Sequence, residues 1–218
     1  MVDPYDNLRR VDPGYSPPKG KISFSKVEIA HIAVAIIVLS AAFSIIMRRN
    51  VFVSDPVTNM LYIVGLSFLL VICSFLLHEF GHKFVAQRYH AWSEFRAYPM
   101  GLLIALLFSF TGILFAAPGA VYIRGNITED MNGKISLAGP GVNFIISAVA
   151  IVGCLLSPTV IVAYVFFMLA YLNAFLGLFN LIPIPPFDGS KIVKWNLPIY
   201  LLAVVIGIAE LAFILLYL

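Results

Sequence analysis

Residues 60–85 read MLYIVGLSFLLVICSFLLHEFGHKFV, an apolar run that carries two histidines and a glutamate near its end. A bilayer core about 30 Å thick is crossed by about 20 helical residues, so this run is long enough to span it. Ionisable groups inside such a helix are expensive and are functional suspects by default. Working outward, residues 29–47, 135–156, 160–182 and 197–218 form further apolar runs of spanning length, and residues 101–118 form a doubtful one. Of the 218 residues, 61% are hydrophobic and 11% charged, and the mean hydropathy is +0.97. Soluble domains carry about 25% charged residues, so lipid must solvate most of this chain.

The ionisable residues of the decisive run are His78-Glu79-Phe80-Gly81-His82, an HExxH pattern. Residues four apart lie one helical turn above each other, so His78 and His82 can aim two imidazole nitrogens at one point that can hold Zn²⁺. Glu79 projects beside that point and can take a proton from water instead of ligating. Catalytic zinc normally takes three protein ligands, so a third must come from His90, Glu94, Asp188, Glu210 or His31. Asp188 is the best of these. It closes Asn180-Leu181-Ile182-Pro183-Ile184-Pro185-Pro186-Phe187-Asp188-Gly189, where three prolines end a helix and leave carbonyls that lipid does not tolerate unless a cavity or site lies beside them.

HEFGH on one membrane helix and NLIPIPPFDG at the end of a later one resemble the site-2 protease family of intramembrane metalloproteases. The family pattern, HExxH followed by NxxPxPxxDG, is matched by His78, Glu79, His82, Asn180, Pro183, Pro185, Asp188 and Gly189. Residues 138–143, Ala-Gly-Pro-Gly-Val-Asn, also resemble the family's Gly-Pro-x-x-Asn stretch. The resemblance implies one zinc held by His78, His82 and Asp188 with a bound catalytic water, Glu79 as the base, and Asn180 positioning substrate or oxyanion. Asn143 is a candidate for substrate contact or for packing. The implied activity is hydrolysis of peptide bonds within or near transmembrane segments, as in regulated intramembrane proteolysis, on a membrane-protein substrate. No stretch between the runs is long enough for a PDZ or CBS sensor domain, which points to a minimal form.

The expected fold is an all-α polytopic membrane protein with five to six transmembrane helices and a re-entrant, β-hairpin-like segment after the HExxH helix. Both motifs sit at the C-terminal ends of their helices, so the two helices must run in the same direction if one ion joins them. The short turn at Ser157-Pro158 makes the preceding helix antiparallel. Residues 95–123 must therefore enter and return, as two extended limbs of about ten residues with Gly112 near the tip and Pro118-Gly119 on the return. Residues 1–26 read as a soluble tail and 27–218 as the integral membrane protease domain, with a core of about 60–194. Nothing in the tail resembles a cleavable signal peptide.

Charge sets orientation. Arg9, Arg10, Lys19, Lys21, Lys26, Lys83, Arg88, Arg96, Arg124, Lys134, Lys191 and Lys194 fall on one side, against Arg48 and Arg49 on the other. The positive-inside rule places the motif ends toward the cytoplasm. A net charge of +3 spread along the loops excludes nucleic acid as a partner. Cys73 and Cys154 lie in apolar runs and read as small hydrophobes. The rival function is a polytopic zinc transporter or metal-binding membrane protein. A polar route to both faces and internal repeats would mark one, and the chain has neither.

Overall fold

Helix starts are written by capping residues at the ends of the apolar runs. Ser25, Asp55, Thr128, Thr159 and Asn196 each accept a hydrogen bond from the backbone N–H three residues on. Pro56 and Pro198 stand in first turns, where a missing N–H costs nothing. A computed structural model describes residues 22–48, 55–113 and 117–218. In chain order the elements are α1 (Lys26–Met47), α2 (Pro56–Val71), a wide turn (Ile72–Leu76), α3 (Leu77–Arg88), β1 (Trp92–Ala97), α4 (Pro99–Ser109), β2 (Gly119–Arg124), α5 (Glu129–Leu155), α6 (Val160–Asn180), α7 (Gly189–Trp195) and α8 (Leu197–Tyr217). Most of the expected tail, residues 1–21 with Arg9, Arg10, Lys19 and Lys21, lies outside the described residues, as does Arg49.

Among the described residues five helices are long and apolar enough to cross a membrane, and α2, the wide turn and α3 form one of them, the 33-residue span Pro56–Arg88. Their surfaces invert the pattern of a soluble protein. Along α5, Ile145, Val149 and Val152 face outward at helical spacing, whereas Ser136, Asn143 and Ser147 are buried. An outward apolar stripe is stable only when lipid solvates it, and polar groups must then find partners inside. Ala150, Ala170 and Ala174 let α5 and α6 approach closely around Leu66, Leu70 and Ile214, the small-residue packing that membrane helices favour. The chain is an integral membrane protein.

The segment after α3 returns to its starting side, as the paired-motif argument requires. β1 and β2 pair antiparallel, from Trp92 opposite Arg124 to Ala97 opposite Gly119. The extended conformation is confined to these bases, however. The first limb beyond them is helix α4, whose 11 residues rise only about 16 Å, half a bilayer core. Local chemistry explains the difference from two extended limbs. Pro99 opens a helix readily, and a helix satisfies its own backbone in lipid where an unpaired ten-residue strand does not. Gly112 stands in the turn after α4 with φ 90°, and residues 114–116 lie outside the described residues.

The outer edge of β1 is closed by side chains of neighbouring helices. Phe95 N–H donates to Glu28 Oε1 at 2.9 Å, Ala97 N–H to His31 Nδ1 at 3.1 Å, and Lys83 Nζ donates to the Ser93 carbonyl at 2.8 Å. His31 is thus occupied as a structural acceptor. Lys83, read from the sequence as an interfacial cation, is fully buried and donates to Glu28 Oε2 at 2.9 Å, with the Phe24 ring 4.6 Å from its ammonium. A buried pair is tolerable only when its remaining hydrogen-bonding capacity is met, and here both ends also bind strand β1. Replacing Glu28 alone with Ala strands a buried ammonium. It is expected to destabilise the protein by about 3–5 kcal/mol in detergent unfolding, with much of the loss recovered when Lys83 is changed to Met as well. Equal losses in the single and double variants would contradict the pair.

Candidate metal centre

His78 and His82 face one point from consecutive turns of α3, with ring centroids 4.7 Å apart and planes at 86°. Each ring is held by its Nδ1. His82 Nδ1 lies 2.8 Å from the Ile135 carbonyl, which can only accept, so this nitrogen carries the proton. His78 Nδ1 lies 2.5 Å from Asn143 Oδ1. A neutral imidazole has one N–H, so donation from Nδ1 leaves Nε2 with a bare lone pair. The two Nε2 atoms are 3.0 Å apart.

Asp188 completes the group from 106 residues further along the chain than His82. The N–H groups of Leu181 and Ile182 turn back onto the Leu178 and Phe179 carbonyls at the end of α6, and Phe187 N–H closes a turn on the Ile184 carbonyl. This broken stretch delivers Asp188 to the start of α7, where its own carbonyl accepts from Lys191 and Ile192 N–H. Asp188 Oδ2 stands 3.1 Å from His82 Nε2 and 3.5 Å from His78 Nε2, while Oδ1 points toward Lys191 Nζ at 3.7 Å.

Three lone-pair donors therefore converge with edges of 3.0, 3.1 and 3.5 Å. Such a triangle repels itself unless a metal ion lies at its centre or a proton bridges two of its atoms. Tetrahedral zinc with bonds of 2.0–2.1 Å needs ligand edges of about 3.3 Å, which these atoms match. Among the described residues this is the one trio of His, Cys, Asp or Glu ligand atoms lying within 4.8 Å of one another. His90, Glu94, Glu210 and His31 are not part of it. His90 occupies a turn at φ 59°, and Glu94 pairs with Arg96.

The helix behind the rings is shaped to admit them. A Cβ on Gly139 of α5 would strike His82 Nε2 and lie 2.7 Å from His78 Cε1, and one on Gly81 would lie 2.7 Å from the Ala138 carbonyl oxygen. Side-chain-free backbone on both helices brings α5 against the imidazoles. In front of them lies a cavity of about 290 Å³, bounded by Glu79, Asn180, Phe179, Lys191 and the strand Gly119–Val121. Glu79 is buried and its Oε2 accepts from Val121 N–H at 3.1 Å. Val121 sits opposite Phe95, and both N–H groups point away from the ladder, so the outer edge of β2 faces the cavity.

Asn180 borders the cavity with its Nδ2 resting on the Leu176 carbonyl at 2.9 Å. Asn143, which the sequence left open between substrate contact and packing, lies fully buried behind His78, outside the cavity lining. Lys191 and Val121 are among the cavity residues that escaped the sequence reading. Lys191 was read only as an orienting charge, although its position three residues after Asp188 puts it on the same helical face. Val121 enters through its backbone, for which side-chain patterns carry no signal.

Comparison with known proteins bears on the family. The profile of peptidase family M50 matches residues 156–201, from the end of α5 through the proline-rich stretch and α7. A provisionally named zinc metalloprotease of Methanocaldococcus jannaschii is 36% identical over 176 residues, covering 79% of this chain and 86% of that protein. A second zinc metalloprotease of the same organism is 33% identical over 128 residues, covering 58% of this chain and 33% of that longer protein. No solved structure matches. A shared sequence running nearly the full length of one relative, together with the HExxH and NxxPxPxxDG motifs and five apolar spans, makes this chain a zinc metalloprotease of peptidase family M50, the site-2 protease family.

Proposed function

We propose that this chain cleaves membrane-protein substrates within or near their transmembrane helices, as an intramembrane protease of regulated proteolysis. The observation that carries the reading is the convergence of His78, His82 and Asp188, with Glu79 beside them, on one cavity at the C-terminal ends of two apolar spans. His78, His82 and Asp188 are the ligands of one zinc ion. When bound, zinc supplies Lewis acidity that activates water and polarises the scissile carbonyl.

Glu79 is the general base. Its Oε2 is held by Val121 N–H, which leaves the other carboxylate oxygen to take a proton from the attacking water and return it to the leaving amine. Asn180 borders the same cavity and can steady substrate or the developing oxyanion with its amide. Asn143 is assigned no contact with substrate, because its amide is buried behind His78.

A substrate helix already uses its carbonyls in internal hydrogen bonds, so it must unwind before attack. Apart from the Val121 N–H that holds Glu79, the cavity-facing edge of β2 offers backbone groups to an extended segment, in the strand-addition mode of peptide recognition. Glu79 lies on that same edge, which would bring the paired substrate backbone within its reach. The excess of Lys and Arg at the motif end of the bundle supports an active site facing the cytoplasm, from which water enters.

Reconstituted enzyme with a membrane-spanning substrate tests this reading. Glu79→Gln is expected to keep its zinc and lose about 10²–10⁴-fold in cleavage rate. Unchanged cleavage would remove Glu79 from the mechanism. Asp188→Ala is expected to lower zinc content in purified protein, and full occupancy would point to a different third ligand. Gly139→Ala leaves every proposed ligand in place, yet its methyl occupies the space of both imidazoles, so loss of zinc is again expected. Normal metal content in that variant would show that α5 does not fix the rings.

A further inference from the structure

We infer that Asn143 is a positioning residue for the metal centre, and that Asn173 and the wide turn at Ile72–Leu76 orient it so that His78 is held with its proton on Nδ1. The inference rests on the reading of His78, His82 and Asp188 as zinc ligands. It adds how one ring is compelled to present Nε2.

The two imidazoles are held differently. His82 leans on a backbone carbonyl, that of Ile135, which is always an acceptor. His78 meets a side-chain amide, which could present either its oxygen or its nitrogen. Which end it presents is decided further back.

Two backbone carbonyls settle the matter. Asn173 Nδ2 lies 2.9 Å from the Leu169 carbonyl and 2.9 Å from Ser74 Oγ. A carbonyl only accepts, so the nitrogen end of Asn173 must sit there and its oxygen must face α5. That oxygen lies 2.8 Å from Asn143 Nδ2, whose second proton goes to the Ser74 carbonyl at 2.9 Å. Both neighbours of this nitrogen are acceptors, and they reach it from different helices. Reversing either amide would set oxygen against oxygen. Asn143 therefore turns Oδ1 to His78, Nδ1 must donate, and Nε2 is left bare toward His82 and Asp188.

The wide turn has a part in this. Leu77 N–H reaches back five residues to the Ile72 carbonyl, so the four-residue ladder is interrupted one turn before the HExxH motif. Ser74 lies within that turn and turns its carbonyl to Asn143 and its hydroxyl to Asn173. Ser74, Asn143 and Asn173 are 0–1% exposed, so these groups are partnered by one another rather than by bulk water. The chain of bonds ties three membrane spans to one ring nitrogen. Helix packing alone would need the polar contacts but not their polarity.

Purified full-length protein tests this through zinc affinity, measured by competition with a chelator. Asn143→Leu is expected to weaken zinc binding about 10–100-fold, the usual effect of removing a partner that orients a ligand. Asn143→Asp keeps an acceptor for His78 but sets its second oxygen against Asn173 Oδ1 and the Ser74 carbonyl, so it is expected to lower stability while weakening zinc binding less than Asn143→Leu does. Asn173→Leu should shift affinity in the same direction by less, because the Ser74 carbonyl still holds Asn143. Ser147→Ala, a buried polar change outside the chain of bonds, should leave affinity unchanged even if stability falls. Wild-type affinity in Asn143→Leu would overturn the inference and leave the metal site standing, whereas a wild-type protein that binds no zinc would overturn both. Nitrogen-15 NMR of histidine-labelled wild-type protein decides the matter without any variant. A protonated Nδ1 on His78 supports the inference, and metal bound at that Nδ1 overturns it.

Discussion

Three lone pairs brought within 3.5 Å of one another inside a lipid-solvated bundle repel unless a cation joins them. Much of the architecture around the site supplies that arrangement. Two of the donors come from adjacent turns of α3, and the third from a stretch that three prolines keep from continuing α6. Polar groups in hydrocarbon must be partnered, so each imidazole needs a fixed acceptor at its back. Ile135 and Asn143 fill those places, and both belong to α5. Gly139 and Gly81 allow α5 near enough for them to do so.

The small sheet meets the demand that the proposed function makes, exposed backbone where lipid would otherwise forbid it. One edge of the β1–β2 pair is sealed by Glu28, Lys83 and His31, and the other borders the cavity with Glu79 seated on it. A free strand edge is an aggregation hazard in water and forbidden in lipid. Beside the cavity that holds Glu79 it is tolerated, and in the proposed function it receives an unwound substrate segment. The buried Lys83–Glu28 pair then has a purpose beyond stability, because it fastens the sealed edge to α1 and α3 and thereby sets where the open edge lies.

Much of this was legible in the sequence, for identifiable reasons. Spanning helices are announced by length and hydropathy, and their limits in the structure fall within a few residues of the apolar runs. HExxH is a local pattern on one helix face, and the broken NLIPIPPFDG stretch stood out because lipid penalises free carbonyls. That residues 95–123 enter and return followed from direction alone, since both motifs end their helices. What stayed hidden was long-range or conformational. Lys83 finds Glu28 across 55 positions and Asn143 meets His78 across 65, and nothing local signals either meeting. Whether residues 99–109 coil or extend was decided by backbone self-satisfaction in lipid, which outweighed the hairpin pattern expected over the whole segment.

Zinc K-edge X-ray absorption of the purified protein probes the centre most directly, because it reports the atoms around the ion without reference to substrate or activity. The account predicts a first shell of nitrogen and oxygen alone at about 2.0–2.1 Å, with outer-shell scattering from two imidazole rings. Sulfur at about 2.3 Å, implicating Cys73 or Cys154, or scattering from any number of imidazoles other than two, would contradict it.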